Sequence, residues 1–354
     1  MTLVVVSGAL AAKPGNGGNA WSRLSFLLGF RNLGFDVVFA ERADGVTPEG
    51  RRFLADVTAA YGIDALLLEE GAGADVVGEA DLVLNIGGHL PPHLRRGAAA
   101  CVYLDDDPVY TQYWLAAGLL GERLADHAAF YSYGVNIGRG ADVPTDGIEW
   151  RPLRPPVALA EWPPVAAEPQ RFTTVASWRG GYGRLQVGDR LYGQKAHEFR
   201  KLAELPSRVS QRLEIALAID AADAHDLELL RARGWIVVDP LDVARTPAAY
   251  RDYLQGSGGE FSPAQSAYVE TRSGWFSDRS AHYLAAGKPI VVQDTGAVAA
   301  GPGVLTFRTA DEARDALRRV AEDYPTHSAA ARAHAEAEHA ADVVLRPLVE
   351  AVLP

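Results

Sequence analysis

Short β-branched runs alternate with helix-patterned segments and glycine-bearing turns along almost the whole chain, and this alternation limits the fold more than any single motif does. Leu3 to Val6 is the first such run. A loop with Gly15, Gly17 and Gly18 follows, then an amphipathic stretch with Trp21, Leu24, Leu27 and Leu28 at helical spacing. Gly34 closes that helix before the next apolar run, Phe35 to Ala40. A strand, a helix and a second strand in this order make a parallel pair joined by a right-handed crossover. Further strands are expected at Ala65 to Leu68, Asp81 to Ile86, Ala98 to Leu104 and Ala128 to Ser132. A second series begins at Phe172 to Ala176 and continues through Arg212 to Ile219, Trp235 to Val238 and Val304 to Phe307.

Between the two series, Ile148 to Pro169 holds Pro152, Pro155, Pro156, Pro163, Pro164 and Pro169 with Trp150 and Trp162 among them. Proline at that density favours stiff, extended chain. A length of 354 residues suits two domains. The expected architecture is therefore α/β, with two doubly wound Rossmann-like domains facing a cleft. They would span residues 1–150 and 170–327, joined by a Pro-rich linker at 151–169 and followed by a C-terminal helical segment, 328–354.

Composition narrows the partners. Net charge is −11, with 34 Lys and Arg against 45 Asp and Glu, which argues against non-specific binding of nucleic acid or an anionic membrane. Cys101 is the only cysteine, so an intrachain disulfide is impossible and a cysteine zinc site is not expected. No apolar run approaches the ~18–20 residues that span a bilayer. The apolar start, Met1 to Val6, is too short for a secretory leader, so a cytoplasmic protein is expected.

The stretch from Gly274 to Gly296 carries the clearest functional signal. It reads as a polar loop, a short helix starting at Ser277-Asp278-Arg279, a Gly287-Lys288-Pro289 turn, a buried strand and a closing Thr295-Gly296. A helix start offers free N–H groups and a partial positive charge, which suit a phosphate, and the Arg279 guanidinium adds a charge-assisted contact. Such a site near the C-terminal end of a chain this long suggests a nucleotide-sugar enzyme. The acidic loop Asp105-Asp106-Asp107 comes just after a strand, and there a carboxylate can take a proton from an attacking hydroxyl. Asp106 and Asp107 are favoured over Asp105. His89, after Gly87-Gly88, is a second candidate base.

Three segments together resemble glycosyltransferases of the GT-B fold. The first is Gly17-Gly18 with the helix and the entry Arg31-Asn32-Leu33-Gly34-Phe35-Asp36-Val37. The second is Ser177-Trp178-Arg179 followed by Gly193-Gln194-Lys195. The third is Gly287-Lys288-Pro289-Ile290-Val291-Val292 with Thr295-Gly296. Within that group the string Thr271 to Arg279 most resembles bacterial family-1-type transferases. The resemblance implies a cytoplasmic enzyme that moves a sugar from a nucleoside-diphosphate sugar to a hydroxyl acceptor. It assigns the donor to the C-terminal domain, the acceptor and base to the N-terminal domain, and a return of the last helix to the N-terminal domain, with Pro347 as its kink or stop. It implies Arg179 and Lys195 at the donor diphosphate, Gly17 and Gly18 where backbone approaches a ligand closely, and no metal or cofactor beyond the nucleotide sugar. Trp178, Trp275 and Phe276 are expected to contact the nucleoside or sugar.

One departure stands out. Retaining members carry Glu-x7-Glu before the Gly-x-Pro turn, and those positions are Gly274 and His282 here. Glu260 or Asp278 would then hold the ribose, or it is held otherwise, and retaining versus inverting chemistry stays open. The base (UDP, GDP or dTDP), the sugar, the acceptor and the oligomeric state also stay open. A nucleotide-sugar 2-epimerase and a non-catalytic nucleotide-sugar-binding protein fit the same architecture. A Rossmann dehydrogenase does not, because Gly8 to Gly18 lacks G-x-G-x-x-G, although Glu41 comes close to the acidic position of that fingerprint.

Overall fold

A computed structural model describes residues 2–69 and 73–353. The chain forms two compact units: one runs up to Ala158 and takes in the chain again from Glu338, and the other spans Leu159–Ala337. The first holds strands β1 (Leu3–Ser7), β2 (Asp36–Arg42), β3 (Asp64–Leu68), β4 (Leu82–Ile86), β5 (Ala100–Asp105), β6 (Ala129–Ser132) and β7 (Trp150–Pro152). They form one parallel sheet in the order β3-β2-β1-β4-β5-β6-β7, with Val5 opposite both Val38 and Val83. β4 and β5 are buried along their whole length, as strands covered by helices on both faces must be. The strand order reverses beside β1, and ligands of open parallel sheets bind at the carboxyl ends of the strands near such a reversal.

The second unit repeats the design. Strands β8 (Arg171–Ser177), β11 (Arg212–Ala218), β12 (Ile236–Val238), β13 (Gly259–Ser262), β14 (Ile290–Gln293) and β15 (Val304–Phe307) pair in parallel in the order β12-β11-β8-β13-β14-β15. An antiparallel hairpin, β9 (Leu185–Val187) with β10 (Arg190–Tyr192), stands apart from that sheet. Phe172, Phe199, Trp235, Phe261 and Phe307 fill the core on one face, where the Phe261 and Phe307 rings stack at 5.3 Å.

Three details differ from the sequence expectations. Trp150–Pro152 is the edge strand β7 of the first sheet, and its Pro152 lies where a missing N–H is tolerated. The Pro-rich segment is also tied down: Lys288 Nζ donates to the Val165 carbonyl at 2.7 Å, Gln255 Nε2 to that of Pro163 at 2.9 Å, and Trp162 is fully buried. Finally, the C-terminal segment is two helices, Tyr324–Glu338 and Ala341–Val352, and Pro347 lies inside the second instead of ending it. That second helix packs on the helix Gly17–Asn32, where Gly29 makes room: a Cβ there would meet Leu345 Cδ1 at 2.6 Å and Ala341 Cβ at 2.8 Å. The two passages of the chain run side by side, since Val157 N donates to the His339 carbonyl at 2.7 Å and Ala341 N to that of Val157 at 3.0 Å. Among the described residues, no helix is long and apolar enough to cross a membrane.

Candidate functional site

In the second unit a pocket opens at the carboxyl ends of β13 and β14, lined by Ser262, Trp275, Ser277, Arg279, Gln293 and Thr295 among others. The helix Asp278–Ala285 starts on its wall with Ser277 in the N-cap position. The approach loop is pinned, because Gly274 N donates to the Thr295 carbonyl at 2.9 Å and Thr295 Oγ1 to that of Trp275 at 2.6 Å. Gly274 sits at φ 74°, a left-handed conformation that glycine adopts without strain. Asp278 Oδ1 accepts from Arg279 N at 2.7 Å, so one first-turn N–H is already engaged. Trp275 is half-buried and stacks on Tyr268 at 4.6 Å, while Phe276 is buried.

The charges beneath that helix start are arranged differently from the sequence expectation. Arg279 turns inward and spends its donors on protein: Nε on Glu260 Oε1 at 2.7 Å, Nη1 on the Val175 carbonyl at 2.8 Å and Nη2 on Ser262 Oγ at 2.7 Å. Glu260 is wholly buried on β13, so it braces Arg279 and is not exposed to a ribose or sugar; its Oε2 has no hydrogen-bond partner. Lys195, the first residue of the helix Lys195–Lys201, is half-buried and makes no hydrogen bond or ion pair with any described residue. Burial, then repulsion from Arg279, pulls its ammonium down to about 7, against the attraction of Glu260 and Asp278. A lysine this easily neutralised responds strongly to an arriving anion.

Two further donor-side candidates already have protein partners. The exposed Arg179 forms a two-pronged pair with Asp223 at 2.6 and 2.5 Å, so its charge already has a partner. Trp178 is buried in the core against Phe199 and donates Nε1 to Asp226 at 3.0 Å, which removes it from ligand contact.

In the first unit, the loop after β5 lies at the carboxyl edge of the sheet. Asp105 is fully buried and accepts from Thr111 Oγ1 at 2.7 Å, Ser132 Oγ at 2.8 Å, Gln112 Nε2 at 2.9 Å and Asp107 N at 3.2 Å. Burial lifts its carboxyl to about 6 despite these donors. With its lone pairs so occupied, Asp105 organises the loop and is not placed to act as a base. Asp105→Ala is expected to destabilise the protein by about 2–3 kcal/mol, because it leaves several buried donors unmatched; an unchanged urea midpoint would refute this. In the same loop Val109 sits at φ 76°, a strained conformation for a β-branched residue, with its N–H held by Gln112 Oε1 at 2.6 Å.

The neighbouring Asp106 is half-buried, and its Oδ2 accepts from Arg23 Nη2 at 3.2 Å. A Cβ on Gly87 would lie 3.5 Å from both Asp106 Oδ1 and His89 Cδ2, so this turn brings the two side chains together. His89 is exposed at the turn, yet partial burial and then the Arg23 charge hold its imidazole well below its ordinary value, so the ring is neutral at pH 7. Asp107 is half-buried on the same loop. Gly17 and Gly18 are not loop residues: they open the helix Gly17–Asn32, capped by Asn16 Oδ1 on Asn19 N at 2.9 Å.

Arg23 is the residue that sequence reasoning passed over. Its signal is a lone cation inside Ala20 to Phe30, a run that is buried throughout. Glu41 is a second. At the end of β2 it accepts from the N–H groups of Leu10 and Ala11, each at 2.7 Å, and Ala12 at 2.9 Å. Both its oxygens hold the β1 loop, so the acid that comes close to a dehydrogenase fingerprint is not free for a ribose. Among the described residues, no group of three His, Cys, Asp or Glu side chains comes together as a metal site.

No protein-family model matches the chain, and no curated protein matches it in sequence. Solved structures do match in fold over the full length. Arabidopsis thaliana UGT89C1 complexed with UDP has a TM-score of 0.53 at 11% identity, covering 100% of each chain. OtsA in its apo form has a TM-score of 0.57 at 12% identity, covering 100% of this chain and 99% of the other. The UDP-GlcNAc 2-epimerase of Neisseria meningitidis, bound to UDP-GlcNAc, has a TM-score of 0.51 at 12% identity, covering 100% of each. The two parallel α/β sheets and these similarities give the chain a GT-B glycosyltransferase-like fold.

Proposed function

We propose that the protein is a glycosyltransferase that moves a sugar from a nucleoside-diphosphate sugar to a hydroxyl acceptor. The second unit binds the donor, with the nucleotide in the pocket beside Trp275 and Ser277 and the diphosphate against Lys195 and the start of the helix Asp278–Ala285. The first unit activates the acceptor, with the neutral imidazole of His89 taking the hydroxyl proton and Asp106 beside it steadying the imidazolium that forms. One observation carries the reading: a half-buried ammonium with no hydrogen-bond or ion-pair partner among the described residues, held well below its ordinary value, beside a helix start at the carboxyl edge of a parallel sheet. As the sugar C1–O bond breaks, negative charge grows on the departing diphosphate, and a fixed cation with aligned N–H groups stabilises it without a metal. UDP-bound and UDP-GlcNAc-bound proteins of the same fold support a nucleotide-sugar ligand.

Titration calorimetry with UDP-, GDP- and dTDP-sugars tests the donor half. These diphosphate diesters keep their charge between pH 6.5 and 8.5, so any pH effect belongs to the protein. Lys195 is charged below about 7 and neutral above it, and a diphosphate prefers the charged form. Affinity is therefore expected to fall as pH rises through that value, by up to about tenfold per pH unit. Lys195→Met is expected to weaken binding at pH 6.5 by about 10- to 100-fold and to flatten the pH dependence. Equal affinity in the variant would remove Lys195 from the site. Product analysis separates the rival chemistries: a transferase releases free nucleoside diphosphate, whereas an epimerase returns an isomerised sugar still attached to it.

A further inference from the structure

We infer that the acceptor is an anion, and that the first unit recognises its phosphate or carboxylate group with Lys13, Arg23 and Arg123 around His89. This deepens the proposed transferase reading and rests on it for the word acceptor, but the anion site stands on its own geometry. Arg23 is nine-tenths buried, and its guanidinium stands at the carboxyl edge of β1, where a Cβ on Gly8 would come within 3.0 Å of Nε. Its Nη2 holds Asp106 and its Nη1 reaches Ser22 Oγ at 3.2 Å, while Nε has no hydrogen-bond partner among the described residues. Burying a guanidinium against a single half-buried carboxylate leaves it incompletely compensated, and a bound anion removes that deficit.

The charges of two more cations, Arg123 and Lys13, act on the His89 ring. Arg123 is exposed, and its backbone packs under Gly88, where a Cβ would meet the Arg123 carbonyl at 3.0 Å and its Cβ at 3.1 Å. Lys13 is exposed on the β1 loop, which Glu41 holds through three N–H groups. Neither Lys13 nor Arg123 makes a side-chain hydrogen bond or ion pair with a described residue. The charges acting on the His89 ring are thus Arg23, Lys13 and Arg123 against Asp106 alone, with Asp107 on the same loop and Asp105 sealed beneath by its four donors. Three cations against the carboxylates of Asp106 and Asp107, in a chain of net charge −11, mark a local positive site on a protein that otherwise repels anions. The cations also place the anion beside the group that takes the hydroxyl proton, which orients the acceptor.

The test uses the full-length protein and inorganic phosphate, with acetate as a second probe, at constant ionic strength and pH 7.5. The His89 ring signals, assigned with His89→Gln, are followed by NMR. Phosphate is expected to shift them along a saturating curve with millimolar half-effect, and the double variant Lys13→Ala/Arg123→Ala is expected to weaken that response about tenfold or more. Both substitutions are at exposed positions, so the fold is kept. A response to phosphate alone, or to both probes, supports the anion site and assigns it to phosphate or to either group; a response to acetate alone assigns it to a carboxylate. No response to either probe, a linear drift, or the same curve in the double variant would overturn the inference. UDP-sugar binding that depends on Lys195 reports on the donor reading separately, so a protein that binds the donor but shows no anion at His89 sinks only this proposal.

Discussion

Replacing His89 with glutamine is expected to cut turnover by about a hundred- to ten-thousand-fold while donor binding stays within about twofold of the parent. Release of nucleoside diphosphate from a UDP-sugar at saturating concentration, with water as the acceptor if no other is supplied, gives the rate. The expected pH profile is the sharper readout. A general base must be unprotonated, and His89 is held below its ordinary value by partial burial, by Arg23 and, less strongly, by Lys13 and Arg123. The rate should therefore stay level well below the usual imidazole range, down to about pH 5, and lose that plateau in the variant. Asp106→Asn should lower the rate less, about tenfold, because it removes the charge that steadies the imidazolium but leaves the proton acceptor. If His89→Gln keeps full turnover and the Asp106 variant loses it, the proton goes to Asp106 and the assignment is reversed.

The second large effect concerns stability. Glu260→Ala is expected to cost about 3–5 kcal/mol, because it leaves the buried Arg279 guanidinium without its anion and takes from Lys195 one of its two compensating carboxylates. Glu260→Gln keeps an acceptor for Arg279 Nε but no charge, so it should fall between parent and alanine variant. Urea unfolding measures both. A midpoint for Glu260→Ala indistinguishable from the parent would mean that the Val175 carbonyl and Ser262 Oγ suffice for Arg279, and that this cluster does not depend on its ion pair.

The alternation of strands and helices was legible because it is a local pattern. Leu82 to Leu84 and Ala100 to Leu104 are apolar runs, and a strand covered on both faces buries every residue of such a run. The helix start at Ser277 could likewise be read from Ser-Asp before an apolar run, since capping depends on neighbours in sequence. Gly17 and Gly18 were harder to place: glycine weakens a helix, and Asn16 overrides that by capping the first turn. Arg179, Trp178, Glu260 and Asp105 each have protein partners that the sequence does not announce. Asp223 is 44 residues from Arg179, Asp226 is 48 from Trp178, and Arg279 is 19 from Glu260. No spacing rule within one element reports such pairings.

Arg23 shows the same limit from the other side. It is a lone cation in a buried helical run, and its partner, Asp106, comes 83 residues later just after β5, two places from β1 in the sheet. By itself the sequence determined the two series of parallel strands and their order along the chain, because hydrophobic periodicity and turn chemistry act between near neighbours. The tertiary structure alone decided which charges are spent and which are free. Whether a guanidinium, carboxylate or ammonium is consumed depends on what packing brings to its tip from distant strands, and that is how Lys195 and His89 stayed available while Arg179, Asp105 and Glu260 did not.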